Sequence, residues 1–176
     1  MKHIFSSLAV FTLLLIAAQV AGCHHSTNSA ASVKGNTTAG NDTLIYGFRD
    51  ATTPPQYHRS YDIIVTAQQV KFSIMVYGDV LVKDSLPLTK QAFETFASSI
   101  NALQISNSTA DNPDNCVGGS SQYISFYPRT DKWVKASTYN CGGKEESSND
   151  KKVNAAAALF SSLVPDLGKR IEATRK

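Results

Sequence analysis

Cysteine is scarce in this chain: three in 176 residues, beside one tryptophan, two methionines and a charged fraction of 18%. No His or further Cys stands at ligand spacing from Cys116 or Cys141, so no zinc site is spelled out. No EF-hand spacing occurs either. The formal net charge is +3, and no basic stripe with interleaved aromatics runs along the chain, which argues against a nucleic-acid partner. Past His25 the only histidine is His58, so a nucleophilic triad has a single candidate base. No Gly-x-Ser-x-Gly elbow surrounds a serine. Neither Gly-rich stretch continues into Lys-Ser or Lys-Thr and a helix, which removes a phosphate-binding loop. Nothing pairs two of Asp62, Asp79, Asp84, Glu94 and Asp131 across a cleft, as glycoside hydrolysis requires. A repeat of fixed period is also missing. These absences leave no motif for catalysis, for a metal or for a cofactor.

Long apolar runs are missing too, with one exception at the start. Lys2 precedes Leu8 to Val20, an apolar stretch broken only by Thr12 and Gln19. A positive start, a short apolar segment and then small residues are the three parts of a secretory signal. The run is shorter than the ~20 apolar residues of a spanning helix. It ends in Val20-Ala21-Gly22-Cys23, which resembles the lipobox of bacterial lipoproteins. That resemblance implies cleavage before Cys23, a diacylglycerol on its sulfur and a third acyl chain on its amine. Two or more chains, at about 0.8 kcal/mol per buried CH₂, anchor stably where one does not. His24, standing where Asp would favour inner-membrane retention in such lipoproteins, points to the outer membrane. The competing reading is an ordinary cleaved signal in which Cys23 is incidental.

Loss of residues 1–22 leaves about 150 residues, enough for one domain with a real core. Residues 23–43, rich in Ser, Thr, Asn, Ala and Gly, bury too little to offset ordering entropy and predict a flexible tether. His24-His25 are read as polar filler of that tether in preference to a metal site. With Cys23 acylated, Cys116 and Cys141 form an even pair in an oxidising compartment, and a disulfide is the natural reading. A metal pair or a catalytic thiol remain the alternatives. A bridge would close a loop of about 25 residues and contribute roughly 3–4 kcal/mol in the chain-entropy model.

The domain, residues 44–176, begins with weak alternation over Leu44 to Phe48, read as an edge strand. Tyr61 to Thr66 and Val70 to Tyr77 follow as strands, the latter with Val70, Phe72, Ile74 and Val76 on one face. Gly78-Asp79 predicts a type II′ hairpin loop and Val80 to Lys83 the return strand. Leu86-Pro87-Leu88 should end the sheet. Thr89 then caps a helix with a core stripe of Phe93, Phe96, Ile100 and Leu103, stapled by Leu88 and Phe93. Ser106 to Asn115 reads as a polar loop. Tyr123 to Tyr127 and Trp133 to Tyr139 form a hairpin that sets Cys116 opposite Cys141 if its turn centres near Arg129 and Thr130. Asp150 is the expected cap of a second helix through Phe160 and Leu163. Pro165 should open a short final helix, with Leu167 and Ile171 inward. The sum is α+β: an antiparallel sheet with two or three helices packed on one face and one disulfide.

Two features remain as candidate sites. The first is the glycine pairs after Cys116 and Cys141, read as chain bends in preference to an anion nest. The second is Pro54 to Tyr61, where Tyr57, His58, Arg59 and Tyr61 set two aromatics, an Arg and the one domain His at the entry to a strand. Tyr and Arg are enriched at binding hot spots. The plainer reading has Tyr rings covering the core and Arg59 pointing to water. This segment, with Tyr77-Gly78-Asp79 and the two Cys-Gly regions, resembles small bacterial lipoproteins whose motifs assign no activity. The expected function is therefore a membrane-anchored, non-enzymatic module that binds an envelope protein, of the inhibitor or immunity type. The alternative is an envelope enzyme or small-ligand binder using Tyr57, His58 and Arg59. A deep pocket holding His58 beside an acid would favour that alternative.

Overall fold

A computed structural model describes residues 43–109, 118–126, 133–142 and 146–175. Alternating side chains dictate its architecture. Six strands, β1 (Leu44–Arg49), β2 (Ser60–Val65), β3 (Gln69–Val76), β4 (Asp79–Pro87), β5 (Ser120–Phe126) and β6 (Val134–Asn140), form one antiparallel sheet in the order β4-β3-β2-β1-β5-β6. Three helices accompany it among the described residues: α1 (Lys90–Ala102), α2 (Ser148–Ser162) and α3 (Leu167–Glu172). The α+β class and the antiparallel sheet are as the sequence predicts. Paired residues share a face, so Phe72, Ile63, Tyr46, Ile124 and Ala136 form one row across five strands. That row packs with Phe93, Phe96 and Ile100 of α1, Val153, Ala156 and Phe160 of α2 and Leu167 of α3 in a single core. The opposite face carries none of the core, so the domain is two layers deep.

Several local expectations need correction. β1 is internal: Gly47 pairs with Asp62 on one side and with Tyr123 on the other. The hairpin loop is Tyr77-Gly78, because Val76 pairs with Asp79 and both loop residues have positive φ, 48° and 96°. That is the type I′ pattern, whose twist suits the flanking strands. β4 runs on to Pro87, which the edge of a sheet tolerates because a missing N–H there costs no ladder bond. The register slips between Ile74 and Met75, leaving Leu81 as an extra residue. Thr89 caps α1 as expected, accepting from the Ala92 N–H at 3.2 Å. α2 is capped by Ser147, with Asp150 as the reciprocal member of a capping box. Pro165 does not open α3. Asp166 at φ 55° separates it from Leu167. The predicted polar loop contributes Ile105 to the core, and Ser108 bridges Ala136 in parallel, extending the sheet beyond β6. Cys23, Cys116 and the expected Arg129-Thr130 turn lie outside the described residues.

Candidate functional site

The Pro54–Tyr61 segment is built as a turn, then a buried pivot. The N–H groups of Tyr57 and His58 both donate to the Pro54 carbonyl, at 2.9 and 3.1 Å. This leaves Tyr57 59% exposed while His58 and Arg59 are buried. His58 stacks on the Tyr77 ring at 4.0 Å between centroids, and its Nδ1 accepts the Tyr77 backbone N–H at 3.4 Å. The Tyr77 hydroxyl donates in turn to the Thr53 carbonyl. Arg59 does not point to water. Its Nε donates to Thr174 Oγ1 at 2.6 Å and its Nη1 to the Pro55 and His58 carbonyls at 2.9 and 2.5 Å. Its Nη2 donates to the Thr174 carbonyl. The guanidinium therefore clasps the end of the chain. Tyr61 faces the core and stacks on Phe48 at 5.3 Å. The four candidate residues divide accordingly: Tyr57 outward, His58 and Arg59 locked below, Tyr61 in the core layer. The surface aromatics at this corner are Tyr57 and Tyr77, with Val80 and Leu81 of the hairpin also exposed.

A second polar cluster sits on the helix-free face and was not anticipated. Arg49 meets Asp62 through two bonds, Nη1 to Oδ1 at 2.7 Å and Nη2 to Oδ2 at 3.2 Å. Tyr123 donates its hydroxyl to Asp62 Oδ1 at 2.9 Å and accepts from Arg49 Nη2 at 3.0 Å. Burial would lower the Arg49 pKa, but the Asp62 carboxylate outweighs it and the net shift is upward. Tyr123 is pushed up by burial first and then by Asp62, with Arg49 opposing. The ring lies directly over Gly47, whose added Cβ would stand 2.1 Å from Tyr123 Cε1. A lone glycine inside a strand signals such close approach, and it was the one available clue. Tyr139 covers Gly119 in the same manner, at 2.4 Å. Beside Tyr123, a shallow depression of about 330 Å³ is lined by Ser108, Thr109, Ser125, Lys135 and Ser137.

On the helix side, a polar chain leaves the core. Tyr46 donates to Gln122 at 2.8 Å, Gln122 to Asn154 at 3.0 Å, and Asn154 to Glu146 at 3.0 Å. Burial, with Tyr61 as a second contributor, holds the Tyr46 phenol well above its ordinary range. Near the cysteines, Gly118 and Gly142 have positive φ, 86° and 64°. The Gly142 N–H already donates to Asn140 Oδ1 at 3.1 Å, which spends that group on a local turn. Continuing the β5–β6 ladder past Ser120 and Asn140 puts Gly119 level with Cys141. No group of three or more His, Cys, Asp or Glu converges among the described residues, and no helix there is long and apolar enough to cross a membrane. The chain matches no protein-family model and no curated protein sequence.

Proposed function

We propose that this chain is a lipoprotein of the bacterial envelope, anchored through acylated Cys23 to the outer membrane, whose domain binds a protein partner without catalysing a reaction. The signal-like residues 1–22 and the Val20-Ala21-Gly22-Cys23 motif support the anchor. Residues 23–43 then serve as the tether, and a Cys116–Cys141 disulfide ties the β5–β6 hairpin. In favour of that bridge, the Cys141 sulfur is engaged, and the left-handed Gly118 lets the chain turn at the end of the ladder.

One observation carries the binding reading: the exposed Tyr57 and Tyr77 sit on a rigid support. Tyr77 keeps a left-handed backbone, a conformation that costs a bulky residue on the order of 1–3 kcal/mol. The His58 stack and the bond to Thr53 hold it there. Aromatic side chains fixed before contact lose little entropy on binding, which is how hot-spot anchors work. The enzyme alternative has weaker support, because His58 Nδ1 is committed to the Tyr77 amide and its ring to the Tyr77 face. An inhibitor or immunity protein would use such a corner against one partner.

The test is photo-crosslinking in intact bacteria. A photoreactive residue at position 57 should give one discrete heavier adduct, and Tyr77→Ala should abolish it while the domain stays folded. The same adduct from position 151 on α2, or none from position 57, would refute the assignment.

A further inference from the structure

The helix-free face of the sheet is cationic. The register sets Ser85, Lys71, Ile64, Ile45, Ser125 and Lys135 in one row, and Lys83, Ser73, Asp62, Gly47, Tyr123 and Ser137 in the next. With Arg49, this face holds four cations among the described residues. The one carboxylate described on it, Asp62, is already taken by Arg49. Lys71, Lys83 and Lys135 are all exposed and enter none of the described ion pairs. On and beside the helices, Lys90 pairs with Glu94, Lys169 with Asp166, Arg170 with Asp84 and Arg175 with Glu172, whereas Lys151 and Lys152 of α2 enter none of the described ion pairs. Three of the five described lysines outside ion pairs thus share the face that no helix covers.

The geometry points to an anionic phospholipid surface as the occupant of this face. Lys83 stands on one edge strand and Lys135 on the other, five strand spacings or roughly 24 Å apart, so the ammonium groups do not converge on a single anion. They match a plane of charge. Tyr123 and Tyr139 lie flat on glycines, and the positions between the lysines hold Ile64, Ile45, Ser125 and Ser73, which add no further carboxylate beside Asp62. The biological setting rests on the proposed Cys23 anchor. A tethered domain meets its own membrane at high effective concentration, so modest attraction suffices. Each lysine near an anionic bilayer is worth about five-fold in partitioning, and three are worth on the order of 100-fold.

The test uses the chain from residue 23 onward carrying Cys23→Ser, so that no acyl group contributes. Co-sedimentation with phosphatidylcholine vesicles is compared with vesicles containing about a third phosphatidylglycerol. Binding is expected to the anionic vesicles only, and should weaken in high salt. The triple variant Lys71→Gln, Lys83→Gln, Lys135→Gln should lose on the order of 100-fold. A charge-matched triple on the helices, Lys90→Gln, Lys151→Gln, Lys169→Gln, should keep most of the binding. Equal loss in both triples would reduce the effect to net charge and overturn the proposal. So would absence of vesicle binding, or binding confined to a soluble polyanion such as dextran sulfate. Acylation of Cys23 is read separately, by mass spectrometry of the native protein, so failure of the anchor and failure of the face are distinguishable.

Discussion

Replacing Gly47 with alanine tests the helix-free face at its centre. The new Cβ would stand 2.1 Å from Tyr123 Cε1, 2.3 Å from Cζ and 2.6 Å from Asp62 Oδ1. Carbon atoms in contact prefer ~3.5–4.0 Å, so the ring must move by about 1.5 Å. That shift breaks both bonds of its hydroxyl, the one donated to Asp62 and the one accepted from Arg49. Overpacking of this kind costs about 1–3 kcal/mol. The lost bonds add roughly 1 kcal/mol after allowance for solvent, since Asp62 and Arg49 side chains are 22% and 40% exposed. Alanine in a strand returns about 0.5–1 kcal/mol relative to glycine. The net is near 2 kcal/mol, a fall in Tm of about 6–10 °C for a domain of this size.

The decisive measurement is the double-mutant cycle. In a Tyr123→Ala background the ring clash disappears and only the approach to Asp62 Oδ1 remains, so Gly47→Ala should cost far less. The coupling energy should reach about 1–2 kcal/mol, within the range for residues in contact. Equal destabilisation by Gly47→Ala in both backgrounds would mean that the ring does not occupy the glycine's open side, and the account of Tyr123 packed over Gly47 would fall with it.

Three other outcomes follow from the remaining contacts. Free tyrosine ionises near its reference value of 10.0, whereas Tyr46 and Tyr123 hold their protons to higher pH when folded. Their contribution is therefore complete below pH 10 and is lost above it, at up to about 1.4 kcal/mol per pH unit for each group. Urea midpoints should fall between pH 9 and 11, less steeply in Tyr46→Phe; an unchanged slope in that variant would contradict the burial argument. Arg59→Met leaves the carbonyls of Pro55, His58 and Thr174 without their donor and should cost about 2–3 kcal/mol, with amide exchange in α3 accelerating more than in α1. Alkylation of the unreduced protein from residue 23 onward should leave Cys116 and Cys141 unlabelled, and labelling of either without reductant rules out the bridge.

Local signals carried much of this fold. Val70, Phe72 and Ile74 alternate over β3 and are all buried, and the Thr89 cap together with the Phe93, Phe96 and Ile100 stripe announces α1. What local pattern could not reach was pairing at a distance. β1 looks like an edge because its second neighbour, β5, begins some 70 residues later, and nothing in Leu44 to Arg49 names that partner. The same holds for the cluster on the helix-free face, where Asp62 and Tyr123 lie 61 positions apart. Arg59 was expected in solvent because its acceptors at Thr174 are 115 positions away. The turn at Tyr77-Gly78 shows tertiary structure overriding propensity: a tyrosine accepts the left-handed slot because the His58 stack and the Thr53 carbonyl hold its ring. The capping residue of α2 differs from the expected Asp150 for a simpler reason. Ser147 and Asp150 are both good N-caps, and in a capping box the first of the two takes the role.

The two proposed surfaces make a joint demand that either alone would not. Tyr77 and Gly78 form the loop at one end of the β3–β4 hairpin, whereas Lys71 and Ser85 pair towards its other end. A domain lying with its lysine rows on headgroups would present the Tyr57–Tyr77 corner sideways, open to a neighbour in the same membrane. The surfaces share no hydrogen bond among the described residues, so substitutions in them should be energetically independent. In the acylated protein the three-lysine variant should therefore stay attached through its lipid and still yield the position-57 adduct, at lower efficiency because the domain's orientation is no longer biased. If the same substitutions abolish the adduct while attachment persists, the lysines belong to the partner's interface and the bilayer is not what they contact.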